Sequence, residues 1–124
     1  MDPMTSGLPI ESIRKRADFL ALRQGAKTGT PSFLLVTGPS PVGDRLDPPG
    51  ARVGITITKK LGGAVRRNRI RRRFREGIRQ VFPDYARAGC DYILIARPAA
   101  ETRNWPALLD DMKRALLCLS PDTK

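Results

Sequence analysis

Apolar side chains recur along this chain of 124 residues with two periods, and each period predicts a different element. In "RVGITITKK", residues 52–60, Val53, Ile55 and Ile57 alternate with Thr56, Thr58 and Lys60, which predicts a strand with one buried side and a polar side ending in lysine. After the turn "LGGA" the steps lengthen: Ile70, Phe74, Ile78, Val81 and Phe82 form one face of a helix. "SFLLVT", residues 32–37, lies between Pro31 and Gly38 and has strand length. The nearly continuous apolar run "DYILIARP", residues 91–98, suits a central strand covered on both faces, with the first two strands as neighbours. Two further helices follow from periodicity. "IRKRADFLALRQ", residues 13–24, brings Ile13, Ala17, Phe19 and Leu20 near helical spacing and stops at Gly25. "NWPALLDDMKRALLCLS", residues 104–120, opens on a capping Asn104 and an early proline and repeats Trp105, Leu108, Leu109, Met112, Leu116 and Leu119.

The stretch "GPSPVGDRLDPPGA", residues 38–51, holds four prolines and three glycines and reads as a loop. Residues 1–9 and 121–124 read as flexible ends around a single domain over 10–120. The order helix, strand, strand, helix, strand, helix predicts an α+β fold, a small mixed sheet with helices packed on it. Phe33, Phe82 and Trp105 are expected in its core.

Composition narrows the function. Lysine and arginine outnumber aspartate and glutamate 23 to 12, a formal charge of +11, so the expected partner is a polyanion. There is no histidine, and Cys90 and Cys118 are the only cysteines, which excludes the usual zinc spacings and every histidine-based triad. Asp84, Asp91, Glu101, Asp110 and Asp111 fall on different elements, the last two at helix positions that spacing places in solvent, so no paired carboxylates offer an autonomous nuclease site. The cysteines are expected to stay reduced as small core residues. Without a run of eighteen apolar residues or a secretory start, the sequence reads as a cytoplasmic protein with no membrane partner.

The charge is concentrated in "AVRRNRIRRRFREGIRQ", residues 64–80, where eight arginines face one acid, Glu76. On a helical wheel Asn68, Arg72, Arg75 and Arg79 share a stripe opposite the apolar face, and Arg71 sits at the edge of the apolar stripe. Arg69 and Arg73 lie on the other flank with Glu76, which can neutralise one of them. Like charges one turn apart cost a helix roughly 0.2–0.5 kcal/mol per pair, and a merely solvated face would mix signs. Nucleic acid is favoured over a membrane because Ile70, Phe74 and Ile78 are needed for the core. Lys59 and Lys60, at the strand end, extend the positive surface. Gly62 and Gly63 form either a plain strand-to-helix turn or a close approach for a phosphate, and they lack the lysine and hydroxyl residues of a P-loop. Phe19 departs from the stripe of its helix, which leaves both a core position and a groove position open. No second helix with a tight turn precedes the basic helix, as a DNA-binding helix-turn-helix would need.

Together "RVGITITKKLGGAVRRNRIRRRFRE", residues 52–76, and "DYILIARPAA", residues 91–100, closely resemble the protein component of bacterial ribonuclease P, with a weaker match at "RKRADFLALRQG". The double lysine ahead of an Arg-Asn-Arg helix separates this family from ribosomal or RNA-chaperone proteins of similar charge. The resemblance implies a fold like the second domain of ribosomal protein S5, with a left-handed βαβ crossover. It implies an accessory subunit of an endoribonuclease that removes the 5′ leader of precursor tRNA. The RNA subunit would perform the hydrolysis with Mg²⁺ that it and the substrate bind, this chain would bind no cofactor, and no obligate protein partner is implied. Carried over by position, Lys59, Lys60, Arg67, Asn68, Arg69, Arg71, Arg72 and Arg75 become RNA-binding residues, to which the outward stripe adds Arg79, and Phe19, Thr56, Thr58 and Lys60 become the leader cleft. This chain differs from the family pattern in three places. Leu22 and Arg23 stand where a second aromatic is frequent, Val36 where the first strand often carries an aromatic, and Gly63 where asparagine is common.

Overall fold

The computed structural model describes residues 7–42 and 50–119. Strands β1 (Ile10–Ser12), β2 (Ala26–Gly29), β3 (Phe33–Pro39), β4 (Ala51–Thr56) and β5 (Cys90–Ala96) form one sheet in the order β1-β4-β5-β3-β2. β4 is parallel to β1 and β5, whereas β3 runs antiparallel to β5 and to β2. Helices α1 (Arg16–Ala21), α2 (Ala64–Tyr85) and α3 (Trp105–Cys118) complete an α+β fold in which α2 connects the parallel neighbours β4 and β5. β5 lies at the centre between the first two expected strands, as its apolar run requires.

Register sorts the sheet into two faces. Val53 pairs with Tyr92 and Ile55 with Leu94, while Leu35 pairs with Leu94 and Phe33 with Ala96. These side chains pack against Ile70, Phe74, Ile78, Val81 and Phe82 of α2 and Leu108, Met112, Ala115 and Leu116 of α3. Phe33 meets Phe74, and Phe82 meets Tyr92, both edge to face. Truncation of Phe74 to alanine at this centre costs about 3–5 kcal/mol. Gly77 lets the two helices approach, since a Cβ there would stand 2.7 Å from Met112 Sδ. Asn104 caps α3, its Oδ1 accepting from Ala107 N–H at 3.3 Å.

The opposite face carries Val36, Ile93 and, less buried, Leu34 and Ile95, covered in part by Ile13, Leu22 and Phe19. Here the expectation for β4 changes, because its second side is not an open polar face: Arg52 and Gly54 are buried there. The first helix also differs. It is one and a half turns long and runs into a 3₁₀ turn at Leu22–Gln24, so Ile13 lies outside it, Ala17 and Leu20 are exposed, and Leu22 is the buried member.

β1 and β2 are edge strands of three and four residues without apolar alternation, and periodicity gives no sign of them. Lys59 and Lys60 do not end a strand, because β4 stops at Thr56 and both lysines stand in a 3₁₀ turn, Lys59–Leu61. Of the proline-rich stretch, Gly38 and Pro39 end β3 and Ala51 opens β4, while 43–49 lie outside the described residues, as do 1–6 and the tail 120–124. Leu8 donates its N–H to Pro83 C=O at 2.8 Å. Two further expectations are corrected. Asp111 is buried rather than solvated, accepting from Ser32 Oγ (3.0 Å) and from Arg103 (3.0 and 3.1 Å). Cys118 is exposed and Cys90 half-buried, so Cys118 is no core residue.

Candidate nucleic-acid interface

The 22 residues of α2 carry the arginines because its apolar residues, spaced three or four apart, hold one side on the sheet and leave the rest of the circumference outside. The turn before it depends on Gly62, whose φ of +123° suits glycine; Gly63 has ordinary backbone angles, and a Cβ there would meet nothing. Gly62 therefore answers to the turn. Gly63 answers to neither turn geometry nor packing and leaves the helix start uncovered.

The arginines divide into two rows. In the first, Arg66 donates to Glu101 Oε1 (2.7 Å) and Arg69 to Glu101 Oε2 (2.8 Å). Arg73 donates to the carbonyls of Glu101 (2.6 Å) and Arg103 and lies over the Trp105 ring. The bond from Arg66, with Arg69 beside it, holds the Glu101 carboxyl below the usual glutamate range although desolvation opposes this. Glu76 does not neutralise Arg69 or Arg73. It accepts from Arg79 and Gln80, and these bonds, Arg79 first, hold its carboxyl low.

The second row faces outward. Asn68, Arg72, Arg75 and Arg79 are exposed, and Arg71, half-buried, donates to Asn68 Oδ1 at 3.1 Å one turn back. Among the described residues the side chains of Arg72 and Arg75 have no hydrogen bond or ion pair. The side chains of Lys59 and Lys60 are likewise exposed and free of such partners, while Arg67 folds back onto Gly62 C=O (3.1 Å). Asn68, Arg71, Arg72, Arg75 and Arg79 with Glu76 line a polar groove along the helix.

Phe19 joins this charged face to the sheet. Its ring lies on Gly54, where a Cβ would stand 2.5 Å from Phe19 Cζ, so only glycine admits the ring at this height. On one side of the ring a recess of about 490 Å³ reaches Arg71, Arg75 and Arg79 along the edge formed by β1 and β4. On the other side a mainly apolar recess of about 330 Å³ is walled by Leu20, Leu22, Leu34, Val36 and Ile95, with Thr56 and Lys27 as polar members. Phe19 and Thr56 thus come together, whereas Thr58 and Lys60 are exposed beyond the strand and line neither recess. Phe19 belongs to the smaller cluster and to both recesses at once, so the two readings of its position meet in one residue.

Sequence reasoning missed Glu101 as the organiser of three arginines, and it missed Arg52. Arg52 donates to both oxygens of fully buried Asp91 (2.9 and 2.6 Å) and pairs with Asp18 on α1 at 3.1 Å. Its bonds to Asp91 hold the guanidinium pKa above the ordinary arginine value despite burial. Lone charges of this kind, separated by tens of residues, give no local pattern.

The sequence model of the Ribonuclease P family matches residues 9–120. The chain belongs to the ribonuclease P protein family. It is 46% identical over 116 residues to the Ribonuclease P protein component of Caulobacter vibrioides, covering 93% of this chain and 74% of that one. To the Ribonuclease P protein component of Ruegeria pomeroyi it is 42% identical over 113 residues, 90% and 86% of the two chains. Its fold superposes with a TM-score of 0.70 and 30% identity on a Staphylococcus aureus RNase P protein mutant with defective mRNA degradation activity, over 86% of each chain. As a ribonuclease P protein the chain is a subunit of an endoribonuclease complex of tRNA processing and a partner of the ribonuclease P RNA.

Proposed function

We propose that within ribonuclease P this chain holds the single-stranded 5′ leader of precursor tRNA at Phe19 and sets the outward arginine row against RNA phosphates. The observation that carries this is the place of Phe19, on Gly54 between a recess that reaches three arginines and one walled by apolar side chains. A base stacked on or beside the ring leaves its phosphates toward Arg71, Arg75 and Arg79, and base–aromatic stacking contributes about 1–3 kcal/mol. With Leu22 and Val36 in place of further aromatics, the apolar recess contributes contact area rather than stacking.

Arginines set against phosphates release counterions and offset the repulsion between two RNAs, so the protein matters most at low Mg²⁺. Hydrolysis is assigned to the RNA subunit, with Mg²⁺ bound by it and by the substrate. Among the described residues no three of Cys, Asp and Glu converge as metal ligands. No described helix is long and apolar enough to cross a membrane. We place the protein in the cytoplasm, with the RNA it is proposed to serve. Lys59, Lys60 and Thr58 then serve as outlying contacts beyond the groove.

Two measurements test this. Phe19→Ala is expected to weaken binding of precursor tRNA and to leave mature tRNA unchanged, and equal loss for both would reduce Phe19 to a packing residue. Leader removal at low Mg²⁺ is expected only when protein and ribonuclease P RNA are mixed. Cleavage by the protein alone would overturn the assignment of hydrolysis to the RNA.

A further inference from the structure

The element that carries Phe19 is weakly attached. α1 has six residues, none of them fully buried, and no side chain caps its N-terminus. Two apolar contacts tie this segment to the sheet, Phe19 on Gly54 and Leu22 in the smaller cluster. The third tie is ionic. Arg52 on β4 is held by both oxygens of Asp91, its register partner on β5, and its remaining nitrogen, Nη1, reaches Asp18 Oδ2 at 3.1 Å. Asp18 directly precedes Phe19 in the chain, and the side chains of both ion-pair partners are largely shielded from water, 10% exposed for Arg52 and 15% for Asp18.

We propose that Asp18 is a positioning residue for leader recognition: through Arg52 it fixes α1 on the sheet and so sets where Phe19 stands between the two recesses. The inference rests on the leader-binding role of Phe19 proposed above. Asp91 makes Arg52 a fixed post, since its own charge is already satisfied within the sheet. Removing Asp18 strands no buried charge, because the Arg52–Asp91 pair survives, so its loss frees the helix rather than the fold. Removing Arg52 would instead leave Asp91 buried and alone.

The test uses holoenzyme reconstituted with a bacterial ribonuclease P RNA and compares affinities for precursor and mature tRNA. Asp18→Ala is expected to lose about threefold to fivefold of the preference for precursor, the range of a partly exposed ion pair. Asp18→Asn keeps an oxygen acceptor for Arg52 and is expected to lose less. In the Phe19→Ala background Asp18→Ala should have no further effect, because it acts only through the ring. Additive losses would overturn the inference, as would equal loss for both tRNAs. A normal preference in Asp18→Ala beside a reduced one in Phe19→Ala would overturn it while leaving the leader role intact. A normal preference in both would remove the leader role and this inference with it.

Discussion

The two arginine rows of α2 have the same chemistry and opposite employment. Arg66, Arg69 and Arg73 turn toward the connection after β5 and are used by Glu101 and two backbone carbonyls. Arg72 and Arg75 turn away and have no protein partner among the described residues. Charge count alone does not reveal an RNA-binding surface: part of the cluster is internal scaffolding, and the free remainder is what a phosphate can recruit. Arg69, assigned to RNA by resemblance, sits in the scaffolding row, and Arg79 shares itself with Glu76.

The largest expected effect separates the rows by function. Replacing Arg72 and Arg75 together with alanine should lower affinity for RNA by about a hundredfold if each loses one charged hydrogen bond. The slope of log affinity against log salt should flatten by about 1.4–1.8, with the melting temperature unchanged. Salt titrations of binding to ribonuclease P RNA and to precursor tRNA check both numbers; an unchanged slope would return these residues to plain solvated charge.

Next comes the converse. Arg73→Ala should lower stability by about 2 kcal/mol in urea unfolding, since it leaves two carbonyls without their donor, and should leave the salt slope as it was. The smallest effect is in pH. The Glu101 carboxyl is held below the ordinary value of about 4.3, so its contribution is complete above that value and is lost as pH falls through the lowered folded value. Glu101→Gln should therefore flatten the acid limb of the stability profile below the ordinary carboxylate range, and an unchanged limb would show that Glu101 does not organise its row.

The long helices and the central strand were legible because each repeats its apolar signal. Phe74 and Leu94 fall where their periods put them, at the middle of the core. β1 and β2 were not, since an edge strand such as "AKTG" is defined by its partner's hydrogen bonds and not by its own side chains. The outward stripe Asn68, Arg72, Arg75 and Arg79 was legible from the wheel. The division of labour on its flank was not, because Glu101 is brought there by the return of β5, 32 residues after Arg69. The recess beside Phe19 was half legible. Thr56 belongs to it, but Thr58 and Lys60 follow a strand extended four residues too far.

The sheet order has a consequence for the timing of synthesis. Among the described strands β2 and β3 pair as they emerge, whereas β4 meets its neighbour β5 only after α2 has been made, and β5 must arrive before β3 and β4 are joined. Until residue 96 has emerged from the ribosome, α2 has no complete sheet to cover, and its apolar stripe and all eight arginines are presented together. Pairings of such long range close slowly. The nascent chain therefore exposes its full positive charge before it has folded, and the closing of Glu101 onto Arg66 and Arg69 marks the point at which that exposure narrows to the outward row.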